Sequence, residues 1–168
     1  CAEFGIQGLP FPEKYGGNNA DILTTMLTME GLGYGCRDNG LIFGINAQMW
    51  SVQMPILRFG TEAQKQAWLP KLNSGAWVGA HGMSEPDSGS DLAATRTKAV
   101  RDGDYYRVTG TKVWTSFAHE ADYVILFCRT SGTPADRQAG TSQLLVDLNN
   151  TPGLTIKPII DLAGQHHF

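Results

Sequence analysis

Met83-Ser-Glu-Pro-Asp-Ser-Gly-Ser-Asp91 stands where the apolar run of residues 77–83 stops. A strand ending at a polar loop is the local reading. Ser84, Ser88 and Ser90 supply hydroxyls, Gly89 permits positive φ, and Pro86 fixes one φ. Successive backbone N–H groups can then turn toward a shared concavity able to hold an anion or a polar ring edge. A surface turn that caps the next element fits the same stretch.

Downstream, Gly110-Thr-Lys-Val-Trp-Thr-Ser116 ends in an aromatic and two hydroxyls, an unusual close for a plain strand. A hairpin signal lies between the two stretches. Residues 93–100 alternate, Asp102-Gly-Asp104 makes a tight turn, and residues 105–108 begin a return strand. Residues 121–129 contain the nearly continuous apolar run Val124, Ile125, Leu126 and Phe127, which predicts a strand buried on both faces. Residues 131–140 form a polar loop. Residues 141–148 and 154–159 supply two further strands, joined by Asn149-Asn-Thr-Pro-Gly153.

Upstream the period is helical. Gly8-Leu-Pro-Phe-Pro-Glu-Lys-Tyr-Gly-Gly17 is a loop punctuated by Pro and Gly. From Asn19, the apolar residues Ile22, Leu23, Met26, Leu27 and Met29 predict a helix that the Gly31, Gly33, Gly35 series ends. That glycine series follows a helix and not a strand, so it is a poor dinucleotide fingerprint. Asp38 or Asn39 caps a second helix carrying Leu41, Ile42, Ile45, Met49 and Val52, broken by Pro55. Thr61-Glu-Ala-Gln64 is a capping box for a third helix that reaches Leu72, with Pro70 weakening its last turn. Asn73-Ser-Gly75 marks the change to strand composition. The expected organisation is a helical domain over residues 1–74 and a strand domain over residues 75–168, an α+β chain with an antiparallel β-barrel.

Composition excludes several classes. With 42% hydrophobic and 17% charged residues the 168-residue chain can bury a core, and its net charge of −3 offers no electrostatic footprint for nucleic acid. No apolar run approaches the roughly 20 residues of a membrane helix, so no membrane span is expected. Cys1, Cys36 and Cys128 lack C-x-x-C spacing and read as free thiols, Cys128 within the apolar run of residues 123–128. The chain opens on Cys1 without an initiator Met and closes on Gly164-Gln-His-His-Phe168 in what reads as the start of a strand. A piece of a longer protein is expected.

The two polar stretches together resemble the middle domain of the acyl-CoA dehydrogenase family, whose patterns are Thr/Ser-Glu-Pro-x-x-Gly-Ser-Asp and Gly-x-Lys-x-Trp-x-Thr/Ser. Pro12-Glu-Lys-Tyr-Gly-Gly17 and Gly60-Thr-Glu-Ala-Gln-Lys65 resemble segments of the same family's N-terminal domain. The resemblance implies FAD as cofactor and oxidation of an acyl-CoA thioester to the trans-2-enoyl product. It also implies reoxidation by an electron-transfer flavoprotein, a role in fatty-acid metabolism, and a homodimer or homotetramer. The bacterial cytoplasm or the mitochondrial matrix is the implied compartment, the cytoplasm being preferred.

Residue by residue, the resemblance puts Ser84 at the flavin pyrimidine edge and Ser116 at N5, with Met83 also among the cofactor-binding residues. Trp114 then packs on the ring system and Ser90 approaches a phosphate of the flavin or of coenzyme A. The family often has Thr where Ser116 stands. Its base comes from a C-terminal helical domain, so no catalytic carboxylate is expected within these residues.

Plainer readings stand beside these. Trp114 alone is a barrel residue, Ser116 a strand-end cap, and Glu85 and Asp91 turn stabilisers. Glu85, Asp87 and Asp91 read poorly as a calcium loop, which requires Gly where Leu92 stands, and no metal is expected. His119-Glu120 is not H-E-x-x-H, because Tyr123 occupies the second His position. The tandem His166-His167 either touches a ligand or is simply solvated. An acyl-CoA oxidase or flavin monooxygenase on the same scaffold, and a non-catalytic flavin- or acyl-binding module, are the alternative functions.

Overall fold

The structure is a computed structural model that describes residues 1–166 and 168. It divides into two compact units, Cys1–Gly79 and Ala80–Phe168.

The first unit is helical. Its lead-in makes three short 3-10 turns, Ala2–Phe4, Ile6–Gly8 and Glu13–Tyr15. Helix α1 (Ile22–Gly35) starts at Asp21, whose carboxylate accepts from Thr24 N–H. It runs through the glycines that were expected to end it. Cys36 N–H still donates to Leu32 O, and a Cβ on Gly31, Gly33 or Gly35 would meet nothing within 4 Å, so the ladder continues on an open face. Helix α2 (Asn39–Ala47) is capped by Asp38.

Pro55 does not break the helical path. A π-helical segment, Gln48–Gln53, leads into α3 (Met54–Phe59), and Pro55 falls in the first turn of α3. The wider turn shifts the bonding partner by one residue where proline's missing N–H and its ring would otherwise disrupt the ladder. Helix α4 (Glu62–Asn73) opens with both bonds of the Thr61/Gln64 capping box and continues past Pro70. Phe11, Met29, Ile45 and Met49 form the core of this unit, with Leu32, Trp50 and Leu57 packed against them.

The second unit is a sheet built from β1 (Gly79–Gly82), β2 (Lys98–Asp102), β3 (Tyr105–Thr109), β4 (Tyr123–Arg129) and β5 (Thr141–Asp147). The strand order is β1-β4-β2-β3, with β5 also paired to β4. Strands β4 and β5 pair antiparallel from Tyr123↔Asp147 to Arg129↔Thr141, and β2 and β3 form the expected hairpin. Ala80, Ala121 and Val124 make its core with Val146 and Leu148.

Two strand expectations fail here, and the antiparallel barrel fails with them. The sheet is open, and its β2–β4 junction is parallel at Lys98↔Arg129. Strand β3 is an edge whose residues are all exposed. Residues 154–159, expected as a strand, are irregular and leave Leu154, Ile156 and Ile159 exposed. Pro158 has no N–H to give a ladder. Residues 93–100 also form less strand than their alternation predicted. Leu92–Ala94 is a 3-10 turn, and Arg96 and Thr97 direct their N–H groups to the Glu85 carboxylate instead of to a neighbouring strand.

Candidate functional site

The polar loop after β1 closes on itself more tightly than its composition implied. Glu85 N–H donates to Ser88 O at 2.8 Å and Ser88 N–H returns a bond to Glu85 O at 3.1 Å. The Ser88 hydroxyl donates to Asp91 O. These groups are spent within the loop, so the expected concavity of successive free N–H groups does not form from them. Each carboxylate of the loop has its own cation. Asp87 pairs with Arg96 at 3.1 Å, Asp91 is gripped by both terminal nitrogens of Arg137 at 2.8 and 3.1 Å, and Glu85 pairs with Lys112 at 2.8 Å.

The last of these pairs joins the two motif stretches. Glu85 and Lys112 bury their side chains to 5% and 10% exposure. The carboxylate also accepts from the Thr95 hydroxyl and from Arg96 and Thr97 N–H. Burial by itself pushes the Glu85 carboxyl up, but the bonds from Lys112, Thr95, Thr97 and Arg96 N–H outweigh it and hold the group well below the ordinary carboxylate range. A carboxylate held so firmly ionised is a weak base.

Lys112 donates further to Met83 O at 2.8 Å, and Val113 N–H donates to Ser84 O at 2.9 Å. Met83 and Ser84 are therefore brought directly against the segment that leads to Trp114. Met83, Ser84 and Ser116 are half-buried, and Trp114 is 60% exposed. Trp114 and Phe117 adopt φ of 58° and 59°, which is strained for bulky residues and concentrates at functional sites. The Trp114 ring meets Phe168 edge-on at 5.6 Å. Ser90 stands exposed on the loop, beside the Asp91–Arg137 pair.

Other singled-out residues fall elsewhere. Cys128 is fully buried and burial pushes its thiol up, as a core residue requires. His119 stacks obliquely on His166 at 4.7 Å, with its Nε2 4.0 Å from Glu120. His167 lies outside the described residues. A cleft of about 310 Å³ is lined by Thr95, Arg96, Lys98, Arg129, Gly132, Thr133 and Pro134, and by none of the five residues expected to seat the cofactor.

Sequence reasoning missed two structural charges. Lys112 carried only a place in a pattern. Arg129, at the end of β4, is buried and donates to the carbonyls of Ala93, Thr95, Arg137 and Ala139, tying the loops on either side of it. An arginine closing an apolar strand run was the available signal.

Residues 1–76 match the acyl-CoA dehydrogenase N-terminal domain, and residues 80–167 match the acyl-CoA dehydrogenase middle domain. The chain belongs to the acyl-CoA dehydrogenase family. Among its relatives is the probable acyl-CoA dehydrogenase YngJ of Bacillus subtilis (strain 168), 40% identical over 96% of this chain and 42% of its own. Among solved structures, the prolyl acyl carrier protein oxidase AnaB is 44% identical with a TM-score of 0.89, over 95% of this chain and 42% of its own. PigA, solved with FAD and proline, is 32% identical with a TM-score of 0.88, over 95% of this chain and 41% of its own. The chain thus spans about two fifths of the length of these proteins.

Proposed function

We propose that this protein is an FAD-dependent dehydrogenase of acyl thioesters, with Met83, Ser84, Trp114 and Ser116 forming the flavin seat. The observation that carries the reading is the pair of bonds, Lys112 to Met83 O and Val113 N–H to Ser84 O, that draws the two motif stretches together. The donor chemistry fits a flavin. Two half-buried hydroxyls, Ser84 and Ser116, lie on the joined segments, and an exposed indole stands between them in sequence.

When bound, FAD supplies a hydride acceptor for oxidation of the thioester's Cα–Cβ bond. Ser84 would hold the pyrimidine edge of the flavin, Ser116 would supply a hydroxyl toward N5, and Trp114 would pack on the ring system. Ser90 bonds a phosphate of the flavin or of the thioester's carrier. Glu85, paired with Lys112, takes no part in proton removal. Electrons pass on to an electron-transfer flavoprotein, and the protein acts as a homodimer or homotetramer in the cytoplasm, within the metabolism of fatty acids. These readings rest on the family resemblance, and the division into residues 1–74 and 75–168 rests on the composition change.

A second reading, an oxidase acting on an acyl group tethered to a carrier protein, is supported by the 44% identity to AnaB. Oxygen consumption with release of hydrogen peroxide on substrate addition separates it from the dehydrogenase.

The test is titration of the intact protein with FAD, followed by anaerobic reduction with acyl-CoA and acyl-carrier thioesters. Flavin absorbance that protein binding perturbs is expected, and its absence refutes the reading. Ser116→Ala is expected to slow flavin reduction by about 10- to 1,000-fold, the range for one preorganised donor. Reduction at the wild-type rate would remove Ser116 from that role.

A further inference from the structure

Glu85 follows Ser84 in the chain, and Lys112 stands two residues before Trp114. Their pair is almost closed to solvent. As a mere fold support such a pair is replaceable, since apolar residues of similar volume are often as stabilising as a buried ion pair. The second bond of Lys112 is what an apolar residue could not supply. Its ammonium donates to Met83 O at 2.8 Å.

The 83–84 peptide is trans, so its carbonyl and the Ser84 N–H point to opposite sides of the chain. Holding the carbonyl against Lys112 directs the Ser84 N–H away from Lys112, and restricts the direction in which the Ser84 side chain leaves the backbone. Val113 N–H holds the next carbonyl, Ser84 O, at 2.9 Å. Trp114 then adopts its strained φ of 58°, a conformation that persists only where the surroundings over-determine it. Glu85 in turn is fastened to a third segment by the Thr95 hydroxyl and by Arg96 and Thr97 N–H. Lys112 Nζ also donates to the Thr95 hydroxyl at 3.2 Å, so the 95–97 segment holds both members of the pair.

We propose that Glu85 and Lys112 are positioning residues for the flavin seat, the ammonium clamping the Met83 carbonyl so that Ser84 and the 114–116 segment keep one geometry toward the bound cofactor. The inference rests on the flavin reading above. The low proton affinity of Glu85 supports it, because the carboxylate that pairs with the ammonium stays ionised at neutral pH.

The test uses the intact protein as wild type, Lys112→Met, Glu85→Gln and the double variant. Each is checked for fold by circular dichroism and then titrated with FAD, reading both the dissociation constant and the shape of the bound flavin's visible band. Loss of the clamp is expected to weaken FAD binding by about 10- to 100-fold, the scale seen when an outer residue that orients binding groups is removed. The band of any flavin still bound should move toward that of free FAD. A role in fold alone would lower thermal stability and leave both readings unchanged.

A folded Lys112→Met protein that binds FAD within about threefold of wild type with an unshifted band overturns the inference. If that variant does not fold, the double variant, which leaves no unpaired buried charge, decides by the same criterion, and Glu85→Gln decides if the double variant also fails. Wild-type protein that takes up no FAD overturns the flavin reading and this inference with it. Tight wild-type binding that survives the substitutions overturns the inference alone.

Discussion

Gly110 shows how a motif position can be structural and chemical at once. A Cβ built on it would lie 2.7 Å from Thr97 Cα, and Thr97 N–H is one of the donors that hold Glu85. Gly110→Ala is expected to destabilise the protein by about 1–3 kcal/mol, the usual cost of overpacking, read as a lower urea midpoint. An unchanged midpoint would mean that Thr97 yields freely. Glu85 makes a second prediction at this scale. Its carboxyl is held below its ordinary value of 4.5, so the stability it contributes is fully present above that pH and is lost as pH falls below it. Comparing urea midpoints at neutral pH and in acid, wild type should lose more stability than Glu85→Gln between the two. Equal losses would show that Glu85 is not the acid-sensitive group. Ser84, Trp114 and Ser116 were legible as residue types suited to a flavin. The partner of Glu85 was not, because Lys112 lies 27 positions away and nothing local marks which acid it meets.

The elements divide according to whether their determinants are local. The Thr61/Gln64 capping box is a spacing of three residues, and both of its bonds form as the spacing predicts. Thr61→Ala should therefore cost about 1 kcal/mol in chemical denaturation. A negligible cost would show that packing alone starts α4. The β2–β3 hairpin is equally local, with Gly103 at φ 63° in its turn. Elements that depend on distant partners were misread. Residues 154–159 alternate like a strand but have no ladder to join, and α1 passes through its glycines because its open face tolerates them. Pro55 looked like a helix stop, and only the preceding π turn shows how the chain absorbs it.

Across the molecule, the open sheet concentrates its protection in β4. That strand neighbours β1, β2 and β5, while β3 is an exposed edge bonded to β2. Hydrogen exchange is expected to be slowest for β4 amides in the sheet unit and much faster along β3. Comparable rates in both strands would show that β3 is covered by a partner in solution. The amino-acid sequence alone determined the family, the helix-then-strand order, the caps and the hairpin, because each is written in residues a few positions apart or in a spaced pattern. Only the tertiary structure decided that the sheet stays open, that Arg129 gathers carbonyls from two loops, and that Glu85 and Lys112 join the two motif stretches. Closure of a sheet and burial of a charge both depend on which distant groups arrive to satisfy them, and residue type and spacing do not carry that information.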